Sequence, residues 1–221
     1  KICKWISDDE TDLQVGVTLS EGKKRICIVF RGSESRSDWY YDFMIVKQGL
    51  RMDSLTKSPS VNVHSGFLSQ LTTNNVYNTL VNTIKTLLSD HPDYEICVTG
   101  HSLGGALSTL FGFMISHEVD NKVTVTSFAS PRVGDWDWKQ AFEAKSNLYH
   151  YRVTNQRDAV TAVPMIKYYH VGNNIQLKDD KFELFPLNAI RGWFDETLFT
   201  CWSASEHNVD LYYNRLTKHL W

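Results

Sequence analysis

The segment Gly100-His101-Ser102-Leu103-Gly104 holds a serine among the small neighbours that an exposed nucleophilic hydroxyl needs. Residues 94–99 before it are apolar and β-branched, which predicts a strand, and residues 105–111 after it predict a helix. A serine on such a sharp strand-to-helix turn holds its hydroxyl above a sheet, and the flanking glycines let the backbone make the turn. Ser102 is therefore the candidate nucleophile.

A serine hydroxyl is a weak nucleophile at neutral pH, so it needs a base and a third group that orients the base. Three histidines follow Ser102 far enough along the chain: His170, His207 and His219. We expect His170 to be structural because it lies in a strand-like run, and His219 to be solvated at the end of the last helix. His207 lies in a short polar loop before that helix, which makes it the candidate base.

The orienting carboxylate should lie in a loop after a strand, near the carboxyl end of the strand that precedes Ser102. Asp158 fits this position because it follows the predicted strand 148–153 and a polar loop. The other acidic candidates, which the spacing leaves open, are Asp135, Asp137, Asp179 and Asp180.

Negative charge that develops on a substrate carbonyl oxygen needs hydrogen-bond donors. One donor is the backbone N–H of Leu103 at the start of the predicted helix. The second should come from an early loop after a strand, and Ser33 in Arg31-Gly32-Ser33 offers both an N–H and a hydroxyl. The alternative for Ser33 is a helix N-cap.

The composition limits the classes of protein to which the chain can belong. With 221 residues, 42% apolar and 13% aromatic, the chain predicts one folded domain over residues 1–221. The net charge is −2 and the sequence has no long run of basic residues, so it does not predict the positively charged surface that binds nucleic acid. No stretch approaches the roughly 18 apolar residues of a transmembrane helix. Localisation, secreted or cytoplasmic, and oligomeric state stay open.

The four cysteines are scattered along the chain, so the sequence predicts no metal site. Cys27 and Cys97 lie inside apolar strand patterns, which predicts buried free thiols. Cys3 and Cys201 could pair in an oxidising compartment.

Strand patterns alternate with helix patterns along most of the chain, which predicts an α/β fold with a mostly parallel sheet covered by helices. Residues 25–30 are almost continuously apolar, as in a strand buried on both faces. The predicted strands are 15–19, 25–30, 94–99, 123–128, 148–153, 168–172 and 175–177, and the predicted helices are 68–88, 105–111, 136–143 and 208–220.

Taken together, the motifs resemble the class 3 lipases, the fungal-type triacylglycerol lipase family of α/β-hydrolases. The resemblance implies an α/β-hydrolase fold with helices on both faces of the sheet and a lid segment. It also implies a serine hydrolase that cleaves lipid acyl esters, such as triacylglycerol or monoacylglycerol, through an acyl-enzyme and without a cofactor. The matching segments are residues 28–33, 37–39, 63–67, 99–107, 128–135 and 151–158.

Carried over position by position, the resemblance implies a role for each candidate residue. Ser102 would be the nucleophile, His207 the base and Asp158 the orienting acid. Ser33 and Leu103 would form the oxyanion hole.

The lid would span residues 35–45, with Trp39 at the place of the family's lid tryptophan and Asp42 supporting the oxyanion serine. The apolar side chains of this segment recur on one face of a short helix, which would suit either a core helix or a cover that turns toward a lipid–water interface. These apolar side chains are Trp39, Tyr40, Phe43 and Met44.

Other functions stay open at this point. A phospholipase A1 or a feruloyl-type esterase would use the same site, because the pocket walls set that choice. A catalytically silent α/β-hydrolase used as a binding module is a different class, and the presence of Ser, Asp and His argues against it. A nucleic-acid- or carbohydrate-binding domain has only scattered aromatic residues in its favour.

Overall fold

An eight-stranded sheet organises the part of the chain that the computed structural model describes, which is residues 1–32, 47–50, 61–186 and 203–220. The strands lie in the order β1-β2-β3-β6-β7-β8-β9-β10, and β4 and β5 pair separately. Their bounds are β1 Ile2–Asp8, β2 Leu13–Ser20, β3 Arg25–Phe30, β4 Lys47–Leu50, β5 Val61–His64, β6 Glu95–His101, β7 Val123–Phe128, β8 Leu148–Asn155, β9 Asn173–Leu177 and β10 Phe182–Phe185.

Helices connect the strands at the centre of this sheet. Three short 3-10 segments, Thr73–Asn75, Val160–Ala162 and Ala204–His207, accompany them. The helices are α1 Ser65–Thr72, α2 Val76–Asp90, α3 Leu103–Ser116, α4 Trp136–Glu143 and α5 Val209–Leu220.

The centre of the sheet is parallel. Strands β3, β6, β7, β8 and β9 run in the same direction, while β1, β2 and β10 pair antiparallel at the edges. Parallel neighbours need crossover connections, and helices lie in those between β3, β6, β7 and β8, while the connection from β8 to β9 contains the 3-10 segment Val160–Ala162. The carboxyl ends of β3, β6 and β8 therefore meet along one edge, where Gly32, Ser102 and Asp158 follow them in the chain.

One face of the sheet carries most of the core. Helix α3 lies on β6 and β7, and every residue from Gly104 to Ser116 is buried. The sheet side chains beneath it, such as Ile28 and Val98, are at most 1% exposed. Burying one such aliphatic side chain stabilises the fold by about 1.5–3 kcal/mol. Gly112 of α3 allows this packing, because a Cβ there would overlap Val125 of β7.

The opposite face is covered at its carboxyl end by α5. Tyr212 and Leu216 of this helix pack with Val153 and Leu177 of the sheet. Helices therefore lie on both faces, and the predicted mostly parallel α/β sheet is confirmed.

The residues of β3, β6, β7 and β8 that point to the α5 side without packing against α5 form what we call the open face. Its members include Val29 and Tyr151, which are 44% and 41% exposed. The prediction that residues 25–30 are buried on both faces is therefore wrong. Alternate residues of β3 point into the core and toward the open face, as the buried Ile28 and the exposed Val29 show.

Two other predicted elements differ from the structure. The predicted helix 68–88 is divided between α1 and α2, because Asn74 and Asn75 adopt left-handed conformations with φ of 50° and 61°. The predicted strand 168–172 is a loop in which Tyr169 makes an isolated bridge to Gly134. Tyr169 N–H donates to the carbonyl of Gly134 at 2.8 Å, so this N–H is bonded to another loop and not to a strand of the sheet.

Candidate active site

Ser102 lies in the turn between β6 and α3, in a backbone conformation that few residues adopt. Its φ is 58° and its ψ is −122°. Its N–H donates to the carbonyl of Phe128 at 2.9 Å, and its own carbonyl accepts from Gly105 N–H at 2.9 Å. Holding a non-glycine residue at such a φ costs about 1–3 kcal/mol, which the surrounding strands and helix must offset.

The glycines beside Ser102 let α3 approach the sheet at close range. A Cβ on Gly104 would lie 2.5 Å from the carbonyl oxygen of Phe30 and 2.8 Å from that of Arg31. Gly32 approaches from the neighbouring loop, where a Cβ would lie 2.8 Å from the carbonyl oxygen of His101. These obstacles are backbone atoms that cannot rotate away, so the turn requires glycine.

His207 bridges Ser102 and Asp158. Its Nε2 lies 2.8 Å from Ser102 Oγ, and its Nδ1 lies 3.1 and 3.0 Å from the two carboxylate oxygens of Asp158. The carboxylate favours the tautomer with a proton on Nδ1. Nε2 is then an acceptor for the serine hydroxyl, which gives a chain of contacts from hydroxyl to imidazole to carboxylate.

Asp158 is 1% exposed, and three protein groups donate to its carboxylate. Besides His207, Val160 N–H donates to Oδ1 at 2.9 Å and the Tyr212 hydroxyl donates to Oδ2 at 2.7 Å. A buried carboxylate is tolerated only when hydrogen bonds replace its hydration. Burial and the charge of Asp158 raise the pKa of Tyr212 well above its usual value, so the phenol keeps the proton that it donates.

The turn that carries His207 is held by contacts with β8 and with α5, the helix that follows it. Asn155 Nδ2 donates to the carbonyl of Glu206 at 2.8 Å, and Asn155 N–H donates to the Tyr212 hydroxyl at 2.7 Å. Arg215 of α5, which is mostly buried, pairs with the Glu206 carboxylate at 2.6 Å. These bonds place the imidazole over the carboxyl edge of the sheet.

His101 supports the site from below. Its ring centroid lies 4.8 Å from that of His207 and 5.5 Å from that of Tyr212. Burial and the neighbouring His207 lower the pKa of His101 to about 4. His101 is therefore uncharged at neutral pH and does not oppose a positive charge on His207.

The start of α3 presents backbone donors beside Ser102. The first N–H groups of a helix have no acceptor within the helix. Gly105 and Ala106 N–H donate to the Ser102 carbonyl, at 2.9 and 3.2 Å, while Leu103 is the first residue of α3. Its N–H lies at the positive end of the helix dipole, where an anion is favoured.

The structure brings Ser102, Asp158, His207 and Leu103 together. Ser33, Trp39 and Asp42 lie outside the described residues, so their roles stay predictions. Three of the alternatives have other partners, and one of them, Asp179, accepts a hydrogen bond from Arg215 Nε at 3.1 Å. Asp135 caps α4 by accepting from Trp138 N–H at 2.9 Å, and His170 Nε2 lies 2.7 Å from the Thr161 carbonyl.

Sequence reasoning missed the support that Tyr212 and Asn155 provide. Tyr212 was visible only as an apolar position of the last helix, and Asn155 only as part of a polar loop. No local pattern signals that a phenol will meet a carboxylate 54 residues earlier in the chain.

No helix among the described residues combines the length and apolarity that crossing a bilayer requires.

The parallel sheet, the strained serine turn and the Ser–His–Asp contacts together define an α/β-hydrolase. The family model for lipase (class 3) matches residues 27–168. The chain belongs to the class 3 lipase family.

Relatives in this family have different names. The chain is 31% identical over 189 residues to a lipase of Rhizomucor miehei, which covers 83% of this chain and 50% of that protein. It is 32% identical over 197 residues to phospholipase A1-II 6 of Oryza sativa subsp. japonica, which covers 74% of this chain and 47% of that protein. The chain thus spans about half the length of the curated relatives that it matches.

Solved structures share the fold. A structure described as "a serine protease triad forms the catalytic centre of a triacylglycerol lipase" is 27% identical with a TM-score of 0.83, and the match covers 96% of this chain and 83% of that one. A triacylglycerol lipase from Penicillium expansum is 26% identical with a TM-score of 0.73, covering 80% of this chain and 69% of that one.

Proposed function

We propose that this protein hydrolyses carboxylic acyl esters of lipids, with Ser102 as nucleophile, His207 as general base and Asp158 as the group that orients the base. The observation that carries the proposal is the pair of contacts on His207, 2.8 Å from Nε2 to Ser102 Oγ and 3.0 Å from Nδ1 to Asp158 Oδ2. Family membership supports the same reaction class.

In the acylation step, Ser102 Oγ attacks the ester carbonyl carbon while Nε2 of His207 takes the hydroxyl proton. Asp158 stabilises the imidazolium that forms. The tetrahedral intermediate then collapses, and His207 returns the proton to the departing alcohol oxygen. The acyl group stays on Ser102 as an ester.

In the deacylation step, water takes the place of the alcohol. His207 removes a proton from the water, whose oxygen attacks the acyl carbon. The second tetrahedral intermediate releases the fatty acid, and the proton returns to Ser102 Oγ. Since His101 is uncharged, the imidazolium of both steps forms without a like charge below it.

The oxyanion of each intermediate would accept hydrogen bonds from Leu103 N–H and from Ser33. Gly32 supports this assignment for Ser33, because a Cβ on Gly32 would lie 3.7 Å from Ser102 Cβ, so the residue before Ser33 lies beside Ser102. Loss of one such donor typically costs about 3 kcal/mol of transition-state stabilisation. Asp42 would hold Ser33 in place.

Triacylglycerol or monoacylglycerol is the first candidate substrate, in line with the lipases among the relatives. A phospholipid cleaved as by a phospholipase A1 is the second candidate, because a relative with that name is 32% identical to this chain.

The experiment that tests the reaction is hydrolysis of p-nitrophenyl esters over a range of acyl lengths, followed by emulsified triacylglycerol and phospholipid. Ser102→Ala is the control, and a fluorophosphonate probe should label Ser102 in the folded protein. Absence of labelling and of turnover would favour a silent binding module. Faster release of fatty acid from phospholipid than from triacylglycerol would select the second substrate.

The lid is a separate proposal. We infer that residues 35–45 cover the site in water and that Trp39 contacts the lipid–water interface. Trp39→Ala should lower activity on emulsified long-chain esters more than on soluble short-chain esters. An equal loss on both substrates would remove the lid role and leave the hydrolase proposal intact.

We also propose that residues 1–221 form a single domain. This is supported by β1, which is a strand of the eight-stranded sheet, and by α5, which packs on the same sheet. Limited proteolysis that released a stable fragment would contradict it.

A further inference from the structure

Two thiols lie side by side on the open face. Cys27 of β3 and Cys97 of β6 are directly paired in the parallel register. Paired residues on neighbouring strands point to the same face, and the strands lie about 4.8 Å apart. Both cysteines are free and half-buried, so the prediction that they are buried is wrong. Alternation along β3 and β6 directs them away from the core.

Most residues in the row across the sheet at the two thiols are small or hydrophilic. The row across the sheet runs from Thr18 through Cys27 and Cys97 to Thr124 and Tyr149. Tyr149 at its end is 46% exposed. The short side chains in this row leave both sulfur atoms within reach of a small thiol or disulfide from solution.

The hydrogen bond between the two thiols and the charges beside them make the thiols unequal. The hydrogen bond with Cys97, together with the positive charge of Arg25, lowers the pKa of Cys27 to about 6 against the opposing effect of burial. The same hydrogen bond, burial and the charge of Glu95 raise the pKa of Cys97. The thiolate is the reactive form, so Cys27 is the attacking group and Cys97 the resolving group.

We propose that Cys27 and Cys97 form a reversible redox pair that closes into a disulfide between β3 and β6 on the open face. Disulfides join residues whose Cα atoms are about 4.4–6.8 Å apart, a range that includes the spacing of paired strands. The oxidant is a low-molecular-weight disulfide such as oxidised glutathione.

The exchange balances in two steps. Cys27 thiolate attacks one sulfur of oxidised glutathione, which forms a mixed disulfide and releases one glutathione thiolate. Cys97 then loses its proton to solvent and attacks the Cys27 sulfur, which breaks the mixed disulfide and releases the second glutathione. The two cysteines lose two electrons and glutathione disulfide gains them.

The disulfide would join the two strands that lead into the candidate active site. Three residues beyond the thiols, Phe30 and Gly100 are paired in the same register. The next residues form the loop with Gly32 and the turn with Ser102. The bond would therefore tie these strands together from the face opposite α3.

The test incubates the complete 221-residue chain in glutathione buffers of increasing oxidised fraction and maps each cysteine by peptide mass spectrometry. We expect a peptide pair joined through Cys27 and Cys97, two hydrogen atoms lighter than the reduced pair, which a reducing agent reverses. If both thiols stay free throughout, or each keeps its own glutathione without joining the other, the proposal is overturned. This measurement on the unaltered chain needs no variant to fold.

Two single variants test the roles of the thiols. Cys97→Ser should accumulate a stable glutathione adduct on Cys27, because the resolving thiol is absent. Cys27→Ser should be modified at Cys97 several-fold more slowly. Equal rates in both variants would contradict the assignment of attacking and resolving thiols. The ester hydrolase assay is a separate readout, so failure of one proposal does not imply failure of the other.

Discussion

The candidate nucleophile Ser102 and the candidate base His207 are held in place by different means. Ser102 is positioned by the backbone of one contiguous stretch, from β6 through the turn into α3. His207 is positioned by side chains from two other elements: Asn155 of β8 and Tyr212 and Arg215 of α5 bond to the turn or to its partner Asp158. This difference indicates which parts of the site tolerate substitutions.

Around Ser102 the constraint is steric, because backbone atoms surround the glycines and cannot move aside. Around His207 the constraint is a set of hydrogen bonds and one ion pair, each of which contributes a small share. We therefore expect changes at the turn to abolish the fold or the site, and changes around His207 to reduce activity in steps.

The largest effect should come from removing either reacting group. Ser102→Ala and His207→Ala should each lower kcat/KM by about 10⁵-fold, and the double variant should be no worse than either, because the two groups act as a unit. Steady-state kinetics with a p-nitrophenyl ester measures this. If the decrease of kcat/KM in the double variant were the product of the two single decreases, the two residues would act independently.

The next largest effect should come from adding a methyl group at the turn. Gly104→Ala should lower the free energy of unfolding by about 3–5 kcal/mol or prevent folding, because its Cβ meets the backbone of Phe30 and Arg31. Chemical denaturation measures the change. Gly22→Ala is the matched control, because a Cβ there meets nothing within 4 Å. Equal stabilities of the two variants would contradict the steric account.

Tyr212→Phe removes one donor from the buried carboxylate of Asp158 and leaves Asn155 N–H without that acceptor. We expect about 1–3 kcal/mol less stability and a 10- to 100-fold lower kcat, with a smaller change in KM. The control is the neighbouring Tyr213→Phe, whose ring is 67% exposed and which should behave as the unaltered protein. Similar kinetics for the two variants would show that the Tyr212 hydroxyl does not act on the site.

Arg215→Met should cost about 1–2 kcal/mol of stability and a few-fold in activity, because Glu206 is left as an uncompensated carboxylate next to His207. Adding Glu206→Gln should recover part of the loss, which a double-mutant cycle measures. Lys218→Met is the control, since Lys218 bonds only an exposed carbonyl, that of Asp179, in the described part of the chain. A double variant that is worse than the sum of both singles would refute the pairing.

The smallest effect concerns pH. The folded-state pKa of His101 is about 4, below its unfolded value of 6.5, so the unfolded chain binds the proton first as pH falls. This contribution to stability is complete above the unfolded pKa and is lost as pH falls toward 4. The stability lost between about pH 7 and pH 5.5 is about 1 kcal/mol.

His101→Gln should flatten the dependence of unfolding free energy on pH in that window by this amount. Denaturation at several pH values measures it. The same slope in both proteins would mean that folding does not lower the pKa of His101.

The sequence predicted the turn at Ser102 well and the contacts around it poorly. Strands 25–30 and 123–128 and helix 136–143 have the predicted bounds, because each has a strong local pattern. The break at Asn74 and Asn75 was missed because the apolar spacing continues across it.

The thiols of Cys27 and Cys97 were predicted to be buried, because an apolar run does not reveal whether a second layer covers the sheet. That depends on where α5 packs, which is a matter of tertiary structure.

What the sequence determined by itself is the turn at Ser102, since the glycines, the strand before it and the helix after it are neighbours in the chain and their sterics act locally. The choice among several histidines and aspartates was narrowed by spacing and family resemblance. Only the tertiary structure brings His207 within 2.8 Å of a serine 105 residues away and surrounds Asp158 with its donors. The reason is physical: a local backbone conformation is encoded by adjacent residues, whereas a hydrogen bond between distant side chains exists only after the sheet and its last helix have packed.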